Sequence, residues 1–196
     1  MQTVQSQVRV QPARDLALIA VFAGVTAALG LIPPLYLPIS PVPITAQSLG
    51  PILAGAVLGG RRGGASQLLF LALVGLGLPL LAGGRGGLAP FVGPTWGFLV
   101  GWPIIAALIG WATSRFIGSP YVAWLGVAVN MVGGMLVLYA IGIPGMMLVA
   151  QLSLGQAILA NAPYLVGDII KCVIAALVAK GVHASVPGLL PDRSGR

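Results

Sequence analysis

Charge is nearly absent from this chain, and that scarcity limits what it can fold into more than any motif does. Of 196 residues, 10 are Lys or Arg and 3 are Asp or Glu, 7% in all, against roughly 25% in a soluble domain. So few charges cannot solvate the surface of a globule of this size, which excludes a soluble enzyme. Glycine and proline, 29 and 16 residues, would suggest disorder in a polar chain, but 58% apolar residues and a mean hydropathy of +1.01 remove that reading. The solvent left is a bilayer, and the fold class expected is an all-α integral membrane protein.

A hydrocarbon core about 30 Å thick asks for roughly 17 to 25 apolar helical residues. Cut at its Arg, Pro and Gly clusters, the chain gives six spans: Leu16–Ile32, Ala46–Leu58, Ala65–Leu81, Trp96–Thr113, Tyr121–Ile143 and Tyr164–Val182. The second is short and interrupted by Gly50, Pro51 and Gly55. Another apolar stretch, Met146–Ala160, follows Pro144-Gly145 and carries Gln151, Ser153 and Gln156. It is expected to be a surface or re-entrant helix between spans five and six. The domain plan is then a polar segment 1–15, a transmembrane domain 16–183 and a tail 184–196. Arg9 and Arg14 precede the first span, but no small-residue cleavage site follows it, so it reads as an uncleaved span. The single Cys172 says nothing about compartment.

The net charge of +7 would raise nucleic acid in a soluble protein; here it is a topology signal, and no nucleic-acid partner is expected. With six spans and both termini in the cytoplasm, Arg9, Arg14, Arg61, Arg62, Arg115, Lys180, Arg193 and Arg196 all fall inside. Arg85 alone falls outside, and Lys171 lies within span six. Topology therefore leaves Arg85 and Lys171 unexplained.

Span six reads Pro163-Tyr164-Leu165-Val166-Gly167-Asp168-Ile169-Ile170-Lys171, and Asp168 is the one acidic residue inside a span. At about 100° per residue, Tyr164, Asp168 and Lys171 share one helix face. Each isolated charge in hydrocarbon costs at least about 2.5 to 3.5 kcal/mol, so the pair should face the bundle interior. Two readings stand: an ion pair that merely neutralises itself, or a site for a ligand with hydrogen-bond donors and an anionic group. Asp168 would lie only about 6 Å and Lys171 about 10 Å below the outer end of the helix, so such a site would open outward.

Two outer loops frame that mouth. One contains Gly83-Gly84-Arg85-Gly86-Gly87 and then Gly93-Pro94-Thr95-Trp96-Gly97, where glycines let the backbone come close to a partner and Arg85 can meet an anion; a flexible loop with a stray charge is the alternative. The other has prolines at 33, 34, 38, 41 and 43 and ends in Ile44-Thr45-Ala46-Gln47, a stiff segment suited to a lid or to a spacer. Small residues at four-residue spacing, Ala20 with Gly24 and Ala23 with Ala27 in span one, allow close helix approach within the bundle or against another subunit. Asn130 reads as interhelical glue, and Tyr36, Trp102, Trp111 and Trp124 suit an interfacial belt.

The order of motifs Pro41-Val42-Pro43-Ile44-Thr45-Ala46-Gln47, Gly59-Gly60-Arg61-Arg62-Gly63, Ala82-Gly83-Gly84-Arg85-Gly86-Gly87, Gly93-Pro94-Thr95 and Pro163 to Lys171 resembles the BioY family, the biotin-specific substrate-binding subunits (S components) of energy-coupling factor transporters. The resemblance runs from about Arg14 to Lys180. It implies a six-helix fold in a bacterial or archaeal cell membrane, with biotin captured near the outer face and delivered with a membrane T subunit and two ATPases. No cofactor is implied. The binding residues it implies are Asp168, Lys171, Tyr164, Arg85, Gly83, Gly84, Gly86, Thr45, Gln47 and Trp96. Some relatives carry an amide side chain where this chain has glycine near Gly83. The small-residue rows Ala20, Ala23, Gly24 and Ala27 are the expected partner face. The chemistry fits: Asp168 can accept from ureido N–H groups, Lys171 or Arg85 can meet the carboxylate or the ureido carbonyl, and Tyr164, Trp96 and aliphatic walls can carry the apolar body.

Rival classes fare worse. Val166-Gly167-Asp168 matches part of an intramembrane aspartyl protease motif, but residue 165 is Leu where that motif has Gly, and no second intramembrane Asp exists to form a dyad. The sole His183 sits at the cytoplasmic end of span six, away from any serine nucleophile such a protease would need. No phosphate-binding loop is present, so ATP hydrolysis falls to partners. A proton-coupled carrier working alone, or an S component for another vitamin, stays open.

Overall fold

The computed structural model describes residues 12–118, 120–186 and 188–189, so Arg9, Asp192, Arg193 and Arg196 lie outside the described residues. The described chain is helical, with two isolated antiparallel bridges, Leu35 with Ile44 and Leu81 with Arg85, and no strand. Helix α1 is described over Pro12–Leu29. A 3-10 turn (Ala46–Ser48) leads into α2 (Leu49–Leu58), and α3 follows as Gly60–Gly75. A single turn α4 (Ala89–Val92) precedes α5 (Trp96–Ala112), which continues as a π turn over Thr113–Ile117. Helix α6 (Ala123–Met131) runs through a π segment (Val132–Val137) into α7 (Leu138–Ala150). The last two are α8 (Leu154–Asn161) and α9 (Tyr164–Ser185).

Three of these are long and apolar enough to cross a membrane: Pro12–Leu29, Trp96–Ile117 and the continuous Ala123–Ala150. The apolar stretch Ala46–Leu58 is shorter. The distribution of side chains is inverted relative to a soluble domain. Thr26, Ser66, Gln67, Asn130 and Asp168 are buried, while Leu16, Leu31, Leu136, Leu148, Leu159 and Val166 are exposed, as expected where lipid is the outer solvent.

The core is built around α2, in which every residue but Leu49 and Leu53 is buried. Small residues permit this. A Cβ on Gly55 would lie 2.5 Å from the Ala106 carbonyl of α5, and one on Gly50 would lie 2.4 Å from Thr26 Oγ1 of α1. Helix α5 packs against α2, α3 and α7, and α9 against α2 and α6.

Three expected boundaries are corrected. The segment 59–64, expected between spans two and three, is nearly all helix: Gly59 alone makes the turn at φ 80°, and Arg61 and Arg62 sit in the first turn of α3. A single residue suffices because Gly110 of α5 packs against that turn, where a Cβ would come within 2.2 Å of Gly59 C. At its other end α3 stops at Gly75, so residues 76–81 are not helical as expected. The stretch Met146–Ala160 is also two elements. The helix passes through Pro144-Gly145 and ends at Gln151, which is left-handed at φ 54°. Breaking it at the proline would have stranded further backbone groups, whereas a proline inside a helix forfeits one bond. The separate helix is α8 alone, started by a capping box between Ser153 and Gln156.

Candidate ligand-binding site

Helix α9 buries Tyr164, Asp168, Cys172, Ala175, Ala176, Ala179 and His183, a stripe at steps of three and four that faces the bundle. Its first two turns border a cleft of about 590 Å³, open solvent at the mouth included, between the 3-10 turn before α2, the helices α5, α7 and α9 and the loops above them. Leu81, Phe98, Leu99, Trp102 and Leu138 form apolar walls, and Asp168, Lys171, Tyr139, Tyr164, Ser48 and Arg85 supply polar groups.

The polar groups form a chain. Tyr139 Oη donates to Asp168 Oδ2 at 2.6 Å, and Lys171 Nζ donates to Asp168 Oδ1 at 2.8 Å and to Ser48 Oγ at 2.9 Å. Asp168 is 6% exposed, so a carboxylate here depends on that ammonium and phenol. Each Asp168 oxygen keeps further acceptor capacity toward a ligand donor. One turn earlier, Tyr164 Oη donates to the Val42 carbonyl and pairs with Ser40 Oγ at 2.7 Å, which ties the proline-rich segment down over α9.

Arg85 reaches the cleft from a tight hairpin. Leu81 and Arg85 exchange backbone hydrogen bonds of 3.0 and 3.1 Å, Gly83 and Gly84 turn the tip at φ 79° and 70°, and Arg85 Nε donates to the Ala82 carbonyl at 3.1 Å. No carboxylate pairs with Arg85 among the described residues, so its terminal nitrogens are free to meet an anion.

Of the residues expected from sequence, Asp168, Lys171, Tyr164, Arg85, Thr45 and Gln47 border the cleft. Gln47 does so with its amide already spent: Nε2 donates to the Thr26 and Leu80 carbonyls at 3.0 and 2.8 Å, and Oε1 accepts from Ala82 N at 2.9 Å. Gly83 and Gly84 face a different hollow, beside Ala27, Gly30 and Pro34. Gly86 packs on Leu78, whose carbonyl a Cβ would meet at 2.4 Å. Trp96 lies outside the cleft and donates from Nε1 to the Gly145 carbonyl at 3.0 Å.

Tyr139, Ser48, Ser40, Phe98 and Trp102 were not singled out as site residues by sequence. Tyr139 was legible in principle as a hydroxyl near the outer end of an apolar span, at about the depth of Asp168. In the small-residue rows of α1, Ala20 and Gly24 face outward, Ala23 is 4% exposed and packs inward, and Ala27 is half-buried. Among the described residues no cluster of His, Cys, Asp and Glu could hold a metal ion.

The family model described as BioY matches residues 1–188. A biotin transporter BioY of Rhizobium etli is 46% identical over 185 residues, covering 92% of this chain and 98% of the relative. One of Rhodobacter capsulatus is 44% identical over 189 residues, covering 92% and 98%. Among solved structures, the S-component for biotin from an ECF-type ABC transporter superposes with a TM-score of 0.86 at 27% identity, covering 91% of this chain and 95% of that one.

Proposed function

Because this chain belongs to the BioY family, we propose that it captures biotin at the outer face of a bacterial or archaeal cell membrane as the substrate-binding component of an energy-coupling factor importer. It is a transport component and not an enzyme. The observation that carries the reading is the Tyr139–Asp168–Lys171–Ser48 chain closing the polar end of an apolar cleft, in a chain 46% identical to a biotin transporter.

In this reading Asp168, held by Tyr139 and Lys171, accepts from the ureido N–H groups. The bicyclic body lies on Phe98, Trp102 and Leu138, and Arg85 meets the valeryl carboxylate near the mouth. Tyr164, Thr45 and Gln47 hold the proline-rich segment and the Arg85 hairpin in place around the ligand. The tip glycines 83 and 84 let that hairpin turn, and Trp96 braces α5 against α7.

The chain crosses the membrane six times within residues 16–183, with 1–15 and 184–196 on the cytoplasmic side. The basic residues Arg14, Arg61, Arg62, Arg115 and Lys180 support that orientation. The partners are a membrane T subunit and two ATPases, which supply the phosphate chemistry this sequence lacks. The outward Ala20 and Gly24 of α1 form the face that meets them, and Ala23 and Ala27 set the spacing of α1 on the bundle.

The test is co-purification of biotin with the detergent-solubilised protein, quantified per chain. One biotin per chain is expected. Binding of riboflavin or thiamine in place of biotin would overturn the ligand while leaving the fold intact.

A further inference from the structure

Away from the biotin cleft, a second hollow of about 780 Å³, open solvent at its surface included, lies between α5 and α6. Its walls are aliphatic and aromatic: Trp111, Ala112 and Phe116 on one helix, Ala128, Val132 and Gly133 on the other. Trp111, Phe116 and Val132 are 58%, 60% and 54% exposed, so the groove opens on the outer surface of the bundle. Two π segments shape it. Residues five apart are roughly 140° around an α-helix, yet Trp111 and Phe116 meet edge to face at 5.6 Å between centroids, because the π turn Thr113–Ile117 widens the helix there. On the facing helix, Gly133 in the second π segment lets Ile109 seat at the floor, where a Cβ would lie 2.3 Å from Ile109 Cγ1.

A charge lies just beyond one end of this apolar groove, against Phe116. The Arg115 guanidinium lies 6.0 Å from the Phe116 ring centroid, is exposed, and has no carboxylate partner among the described residues. An aliphatic channel ending in an unpaired cation at the proposed inner membrane surface complements one chemistry. We infer that the α5–α6 groove is a binding site for an anionic phospholipid, with an acyl chain between Phe116 and Val132 and the headgroup phosphate on Arg115. A basic group between helices at the cytoplasmic side is the usual setting for such headgroups. The inference rests on the bilayer orientation proposed above and not on the identity of the vitamin.

Trp111 makes the site observable. Protein in mixed micelles is given phosphatidylglycerol brominated on its acyl chains, and quenching is read as wild type minus Trp111→Phe. Unbrominated phosphatidylglycerol should displace the label at about fivefold lower concentration than phosphatidylcholine, the factor expected for one basic group near a membrane surface. Arg115→Gln should abolish that preference, and Arg61→Gln, which changes net charge equally, should keep it. Ala128→Leu, or Val132→Phe where the first variant fails to retain biotin binding, should remove the quenching by filling the groove. Equal competition by both lipids, or the same loss from Arg61→Gln as from Arg115→Gln, would overturn the site, the latter by reducing the effect to a diffuse field. Biotin binding, measured in parallel, should be unchanged in every variant, so its failure would be visible separately.

Discussion

Exchanging Asp168 and Lys171 separates a ligand site from a structural ion pair, and the surroundings of the pair sharpen the test. The hydroxyls that hold it, Tyr139 Oη on the carboxylate and Ser48 Oγ on the ammonium, can each donate or accept. In the double variant Asp168→Lys with Lys171→Asp, Tyr139 can accept from the new ammonium and Ser48 can donate to the new carboxylate. Both hydroxyls can thus change role to suit either arrangement, the charge balance is the same, and the shorter side chain at 171 forfeits at most the Ser48 bond. Thermal stability in detergent should stay within about 1 kcal/mol of wild type, the scale of one net hydrogen bond. Biotin fares differently. Its two ureido N–H donors would meet an ammonium that cannot accept, and each unpaired donor costs about 1 to 3 kcal/mol, for a total of about 2 to 6 kcal/mol. Affinity should fall by at least about 30-fold. Equilibrium binding of radiolabelled biotin, read beside a melting curve of the same preparation, measures both. Wild-type affinity in the exchanged protein would refute the site, and a collapsed melting curve with retained affinity would refute the account of the two hydroxyls.

Three further outcomes are expected. Asp168→Asn should weaken biotin binding by roughly one to two orders of magnitude, by replacing a charge-assisted acceptor with a neutral one; isothermal titration reads this directly. Gly110→Ala should prevent accumulation of folded protein, because its Cβ would lie 2.2 and 2.3 Å from Gly59 C and Gly60 N, backbone that cannot step aside, whereas Gly24→Ala, with nothing within 4 Å, should be tolerated and raise the melting temperature slightly. Ala20→Leu combined with Gly24→Leu should abolish co-purification of the T subunit while leaving biotin affinity intact, as a pull-down with parallel binding measurement would show.

What could be read from the chain alone follows from which signals lipid amplifies. Asp168 and Lys171 stood out because ionisable groups are rare and expensive in hydrocarbon, and Arg85 stood out because it sits against the charge bias of the other loops. Tyr139 did not, since a tyrosine in an apolar span carries no charge and its partner is 29 residues away in sequence. Gln47 borders the cleft, but pattern cannot tell whether an amide turns toward a ligand or toward backbone, and here it faces three backbone groups. Pro144 misled for a related reason: the rule that proline ends helices is calibrated in water, where a broken turn finds new partners, and lipid offers none. The glycine turn at Gly59 was hidden because its brevity depends on Gly110, which is far away in sequence on another helix.

The amide of Gln47 also decides how the Arg85 hairpin can move. One side chain bonds the last turns of α1 through Thr26, the approach to the hairpin through Leu80, and the hairpin itself through Ala82, while Thr26 accepts from Gln67 of α3. The hairpin is thus hinged to α1 and cannot swing as an independent flap. Its backbone amides should exchange with deuterium at the pace of the α1 terminus, as one opening unit. A tilt of α1 would carry the Arg85 guanidinium with it, so a subunit pressing on the outer side of that helix has mechanical purchase on the mouth of the cleft without touching it.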